Sequence, residues 1–207
     1  AQAIIPEKTM SQMSDQTKEA IDQINGMSRR SFLKAASGLA VAASVGTGLL
    51  GAANAFASMP EGIKVMSASE YQVMHRLMKV MLVTEGTGLV PASEIPVMQT
   101  LDAALLDTME PHILEGLKGG IAYFNDGPKA KYGKPFVDLS DKQAATFCDI
   151  WADSDEMPHR ALAMGLKKLV GLSYWANPPT WAPLGYGGPV TDKWNLESLG
   201  NAPLPKS

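Results

Sequence analysis

The sequence predicts an all-α fold of about five helices around a single core, followed by a long irregular C-terminal segment rich in proline, glycine and aromatic residues. Three observations lead there. Apolar residues recur at three- and four-residue spacing in five successive stretches. Those stretches open on helix-start signals, either serine capping boxes or a proline in the first turn. No convincing strand run occurs before residue 175.

The first helix is predicted from Ser67 to about Thr84. Ser67 and Glu70 form a capping box, and Met74, Leu77, Met78 and Met81 make one apolar face. The second should start near Ser93 with Pro96 in its first turn and carry Val97, Leu101, Ala104, Leu105 and Met109 on a stripe. Pro111 begins a third, with Ile113, Leu114, Leu117, Ile121 and Phe124 in helical period. It also contains Gly116, Gly119 and Gly120, each worth about 1 kcal/mol against a helix relative to alanine, which close helix contact would explain. A basic polar loop with Lys129, Lys131 and Lys134 is expected next. Ser140 with Gln143 then opens a fourth helix, which buries Phe147, Cys148 and Trp151. Pro158 opens a fifth, bearing Leu162, Leu166, Leu169, Val170 and Tyr174.

Ahead of these helices, residues 1–34 are polar and charged, whereas residues 35–60 carry no charge. At the junction, Ser28, Arg29, Arg30, Ser31, Phe32, Leu33 and Lys34 match the bacterial twin-arginine export motif at every specified position. The uncharged run is built of alanine and glycine with few leucines, so it enters lipid less favourably than a leucine-rich span. Ala53-Asn54-Ala55 and Ala55-Phe56-Ala57 supply the small residues that signal peptidase requires. Cleavage after Ala57 into the periplasm is the expectation, and a retained anchor over residues 35–53 is the competing one. Met10, Met13 and Met27 each offer a workable start to such a presequence. The resulting division is a signal region at 1–57, a helical domain at 58–175 and an irregular arm at 176–207.

The segment from Tyr174 to Trp194, spanning the end of the helical domain and the start of the arm, concentrates Tyr174, Trp175, Trp181, Tyr186 and Trp194 among prolines and glycines. Rings of that size must be buried, either on the chain's own helices or on a partner, where Trp and Tyr are typical anchors. The five residues are accordingly the candidate partner contacts, Trp181 and Tyr186 foremost.

Chemistry is harder to find. With 18 Lys and Arg against 21 Asp and Glu, the chain has no basic footprint for nucleic acid. A single cysteine, Cys148, rules out an internal disulfide, a CxxC pair and a cysteine-rich metal site. Neither GxGxxG after a strand nor GxxxxGK[ST] is present, nor a GxSxG elbow. His75, His112 and His159 lie in different segments without ligand spacing and are expected to be solvated or capping. Asp153, Asp155 and Glu156 read as a charged helix N-terminus. The methionine stripe of the first helix, with Met98, Met109 and Met164, reads as flexible core. No catalytic, cofactor-binding or metal residue is therefore expected in this chain.

The twin-arginine route carries folded proteins, commonly because they hold a cofactor or are joined to a subunit that does, so a passenger without a cofactor signature is a candidate carrier. Leu89-Val90-Pro91, the run from Gly133-Lys134-Pro135-Phe136 through Val137-Asp138-Leu139-Ser140-Asp141-Lys142-Gln143, Gly171-Leu172-Ser173-Tyr174-Trp175-Ala176-Asn177-Pro178 and Leu184-Gly185-Tyr186-Gly187-Gly188 together resemble the gluconate 2-dehydrogenase subunit 3 family. The resemblance implies a noncatalytic small subunit. Its partner would be a large FAD-binding subunit of the glucose-methanol-choline type that oxidises a sugar, polyol or sugar acid and passes electrons to a cytochrome c subunit or a quinone. The small subunit would bring the export signal and assist folding of the large one. Trp175 and Trp181 depart from the family's pattern, leaving the substrate open. An independent periplasmic enzyme or metal-binding protein is the alternative.

Overall fold

The computed structural model describes residues 15–26, 59–189 and 193–195. Among them there are seven helices and no strand. They are α1 (Asp15–Gly26), α2 (Ala68–Met81), α3 (Val97–Leu101, running on as a π-helical turn over Asp102–Leu106), α4 (Pro111–Asp126), α5 (Lys129–Tyr132), α6 (Asp141–Ala152) and α7 (Met157–Trp175). Five of them, α2, α3, α4, α6 and α7, are the helices the apolar periodicity predicts.

Local chemistry sets the boundaries. Ser67 accepts from the Glu70 N–H while the Glu70 carboxylate takes the Ser67 N–H, and Ser140 and Gln143 repeat the exchange at α6. Prolines open α4 and α7. Helix α2 stops at Met81, short of Thr84, because the buried Thr84 hydroxyl accepts the Ala92 N–H and so draws the chain into a turn. The expected start at Ser93 is instead a 3-10 turn over Ala92–Glu94, and Ile95 and Pro96 break it before α3 begins. Part of the expected basic loop coils as α5, led in by Pro128 and ended by Gly133 at φ 68°.

Helix α7 is the axis of the molecule and packs against α1, α2, α3, α4 and α6. Its Leu162, Leu166, Leu169 and Val170 are all sealed from solvent. At one end, Phe124, Phe136, Phe147 and Trp151 meet largely edge-on, with centroids 4.9 to 5.3 Å from that of Phe124, a favoured arrangement of ring quadrupoles. Gly127, at the end of α4, lies directly beneath the Trp151 indole, and a Cβ there would overlap the ring and stand 3.0 Å from Phe147 Cζ. Gly127→Ala should thus cost about 1–3 kcal/mol by overpacking. Thermal unfolding checks this, and an unchanged midpoint would mean that the ring moves aside freely.

The chain leading into α2 is held by one side chain. Asp102 is fully buried, and its carboxylate accepts from the backbone N–H groups of Lys64 (2.7 Å), Val65 (3.1 Å) and Met66 (2.8 Å). Successive amides turned toward one anion form a nest that replaces water around the charge. Arg76 likewise joins distant segments, donating to the Asp141 carboxylate and to the Leu139 carbonyl at the start of α6, each at 2.6 Å.

Unforeseen in the sequence reading is α1, which lies inside the expected signal region. It puts Thr17, Ala20, Ile21 and Ile24 into the core, at i, i+3, i+4 and i+7, against α4 and α7. The glycines of α4 account for the fit. A Cβ on Gly120 would stand 2.8 Å from Leu162 Cδ2 and 3.1 Å from Thr17 Cγ2, and one on Gly119 would stand 3.2 Å from Thr17 Oγ1.

Candidate partner interface

The C-terminal arm divides into a root that belongs to the domain and a tip that does not. Tyr174 is only 1% exposed, and its hydroxyl donates to the Val90 carbonyl at 2.6 Å. Its assignment as a partner contact is therefore corrected: helical phase turns Tyr174 into the core together with Val170. Trp175 is half-buried, edge-on to Tyr174 and packed against the core. Asn177 closes α7 by donating to the Ser173 carbonyl (2.7 Å) and to the Thr100 hydroxyl (3.3 Å), pinning the root to α3.

Two 3-10 turns follow, Pro178–Thr180 and Ala182–Leu184. Trp181 folds back between them, and its indole N–H donates to the Trp175 carbonyl at 2.8 Å. The Tyr186 ring meets it edge-on at 5.3 Å. Trp181 is thus half-buried and hydrogen-bonded within the chain, rather than presented free of helix packing. The exposed tip comprises Leu184, Tyr186 and Trp194, at 57%, 45% and 65% exposure. Gly185, at φ 67°, makes the turn that sets Leu184 and Tyr186 on the outside.

Ser28, Arg29, Arg30, Phe32, Leu33 and Lys34, together with Ala55 and Ala57, lie outside the described residues. No described helix is long and apolar enough to cross a membrane. Among the described residues no three His, Cys, Asp or Glu side chains gather closely enough to hold a metal ion. The Cys148 thiol is buried on α6, where desolvation pushes its pKa up to about 12, so it is no nucleophile at neutral pH.

The stretch from the start of α2 to the exposed tip is also the stretch that a protein family shares. The family described as gluconate 2-dehydrogenase subunit 3 matches residues 68–188. The chain belongs to that family. The match opens on the first residue of α2 and closes just past Tyr186, so it takes in the core, the arm root and most of the tip but neither α1 nor Trp194. No curated protein and no solved structure gives a match. As a gluconate 2-dehydrogenase subunit 3 member, the chain carries the name of one component of a multi-subunit dehydrogenase.

Two of this subunit's histidines differ from expectation: His75 on α2 is half-buried, its ring stacked on Tyr71 at 5.4 Å, and His159 departs further. His159 is neither solvated nor capping: its ring stacks on Trp151 at 4.2 Å, with Nε2 3.1 Å from the Tyr123 hydroxyl and Nδ1 3.4 Å from Ser154 Oγ. An i, i+3 relation to Glu156 and aromatic residues on both neighbouring helices could have flagged it. Burial lowers its pKa, with the Glu156 carboxylate opposing, and His75 is lowered likewise by burial and by Lys79. With folded-state values below the unfolded 6.5, the unfolded chain takes up protons first. Stability should therefore be complete above pH 6.5 and decline as pH falls below it, until the folded-state values are passed. Unfolding midpoints in a pH series test this, and His159→Gln should flatten the decline. Met164 also departs from expectation, 58% exposed on α7 and not core.

Proposed function

We propose that this chain is the noncatalytic small subunit of a periplasmic, membrane-associated, FAD-dependent dehydrogenase of the glucose-methanol-choline type. It supplies the twin-arginine export signal for the complex and assists folding of the large catalytic subunit, which holds the FAD. The observation that carries this reading is the joining, in one chain, of a gluconate 2-dehydrogenase subunit 3 match over residues 68–188 to the Ser28–Lys34 signature. A flavoprotein that must acquire its cofactor before export needs a route for folded cargo, and a bound partner with that signal provides it.

The test is purification of the chain from its native host, with identification of what accompanies it by mass and absorbance. The expected result is a large flavoprotein in fixed stoichiometry, dehydrogenase activity in the complex, and none in the separated chain. Stoichiometric flavin, haem or a tightly held transition metal in the chain alone would overturn the reading. Within the arm, Tyr186→Ala and Trp194→Ala should weaken retention of the large subunit by tenfold or more, since an aromatic anchor that becomes a hot spot, buried and desolvated in a complex, carries about 2 kcal/mol or more on truncation. Trp181→Ala should instead lower the unfolding midpoint of the free chain, because it removes a bond to the Trp175 carbonyl. Retained binding in folded Tyr186→Ala and Trp194→Ala proteins would remove the tip from the interface.

A further inference from the structure

We infer that the outward side of α7, from Met157 to Trp175, extends the arm tip into one docking surface for the large flavoprotein subunit, and that the surface seated on it is acidic around an apolar centre. The inference rests on the small-subunit reading. Helix α7 turns apolar side chains in two directions. Leu162, Leu166 and Leu169 are sealed in the core, whereas Met157 and Met164 are 68% and 58% exposed. Met164 lies two residues from both Leu162 and Leu166, about 200° away around a helix of 3.6 residues per turn. Met157, Met164 and Gly171 follow at steps of seven residues, which drift by only about 20° each, so they share one line along the helix. A Cβ on Gly171 would meet no atom within 4 Å, so that line is open where it passes Gly171.

Charge and continuity name the occupant. Residues 157–191 contain no Asp or Glu, although the chain has 21 of them, and α7 carries Arg160, Lys167 and Lys168. Arg160 and Lys167 follow Met157 and Met164 by three positions each, so they stand at one edge of the methionine line, both exposed, with Arg160 also donating to the Ser154 carbonyl. A basic edge beside exposed apolar side chains, on a chain of net charge -3, is complementary to an acidic surface and steers it to this side. Methionine, unbranched and polarizable, adapts to such a surface. The line then runs on to Trp175, whose carbonyl accepts the Trp181 indole N–H, and the Tyr186 ring stands edge-on to Trp181. By itself the tip offers Leu184, Tyr186 and Trp194, whereas a stable interface covers about 800 Å² on each partner. The face of α7 adds a strip about 27 Å long. That strip, like Leu184 and Tyr186, falls within the residues the family shares.

The test expresses variants of the full chain beside the flavoprotein in the native host, and reads co-purified flavin per chain together with thermal unfolding of each chain alone. Gly171→Gln decides the matter. It enters open space and replaces a helix-weakening glycine, so the free chain should unfold no earlier than the unmodified one, yet co-purified flavin should fall at least fivefold. Met164→Glu and Lys167→Glu should each lower it several-fold, whereas Lys129→Glu on α5 should not. Capture by the unmodified chain should weaken as salt is raised. Undiminished flavin with folded Gly171→Gln and Met164→Glu chains, an equal loss with Lys129→Glu, or capture indifferent to salt overturns the inference and leaves the small-subunit reading intact. Loss of binding to phosphatidylglycerol vesicles in the α7 variants, with flavin capture unchanged, overturns it in favour of a lipid surface. If the unmodified chain carries no flavoprotein, both readings fail.

Discussion

Asp102→Ala is expected to lower the stability of the domain by about 3–5 kcal/mol, and the unfolding midpoint by roughly 10 °C. The carboxylate has no exposed surface and accepts from three consecutive amides, at residues 64, 65 and 66. Each of those bonds is charge-assisted, and truncation leaves the Met66 N–H buried without an acceptor. Asp102→Asn should recover only part of the loss, since the amide nitrogen of asparagine would point a donor at a ring of donors. Hydrogen exchange at residues 64–66 should quicken in both variants, more than exchange in α6, which has no bond to Asp102. A change below about 1 kcal/mol would show that water or a rearranged loop replaces the carboxylate.

Changing Arg29 and Arg30 together to lysine is expected to abolish export, leaving a full-length precursor in the cytoplasm. The substitution keeps both positive charges but removes the planar, five-donor guanidinium. It therefore separates recognition of shape from attraction of charge. Fractionation with intact-mass measurement reads the outcome, since the wild-type product should begin near Ser58. Unchanged export, or periplasmic protein whose N-terminus lies upstream of Arg29, would sink the assignment. A membrane-bound species retaining residues 35–53 would favour the anchor.

Helix positions were legible in the sequence wherever the determinant was local. The Ser67–Glu70 and Ser140–Gln143 boxes lie within four residues, and the prolines opening α4 and α7 fix their own backbone. What escaped was settled by tertiary packing. Helix α1 has only Ala20, Ile21 and Ile24 as its apolar stripe, too few to distinguish a docked helix from a polar leader. Asp102 left a trace, since it shares a stripe with Met98, Leu101 and Leu105, where a lone acid is out of place; its partners are 36 to 38 residues away and cannot be read from spacing. The arm was visible as an aromatic segment, but the split between Tyr174, turned inward, and Tyr186, turned outward, depends on where α7 ends.

The central position of α7 also sets a timetable for synthesis. It is the last of the seven helices to leave the ribosome, yet α1, α2, α3, α4 and α6 all pack against it. At about 5–20 residues per second, the interval between the emergence of Gly26 and that of Trp175 is on the order of ten seconds. Throughout that interval the Ile21 and Ile24 face of α1 has no completed surface to settle on. The nascent chain thus carries α1 uncommitted through this part of translation, and the domain closes only once the whole of α7 is free.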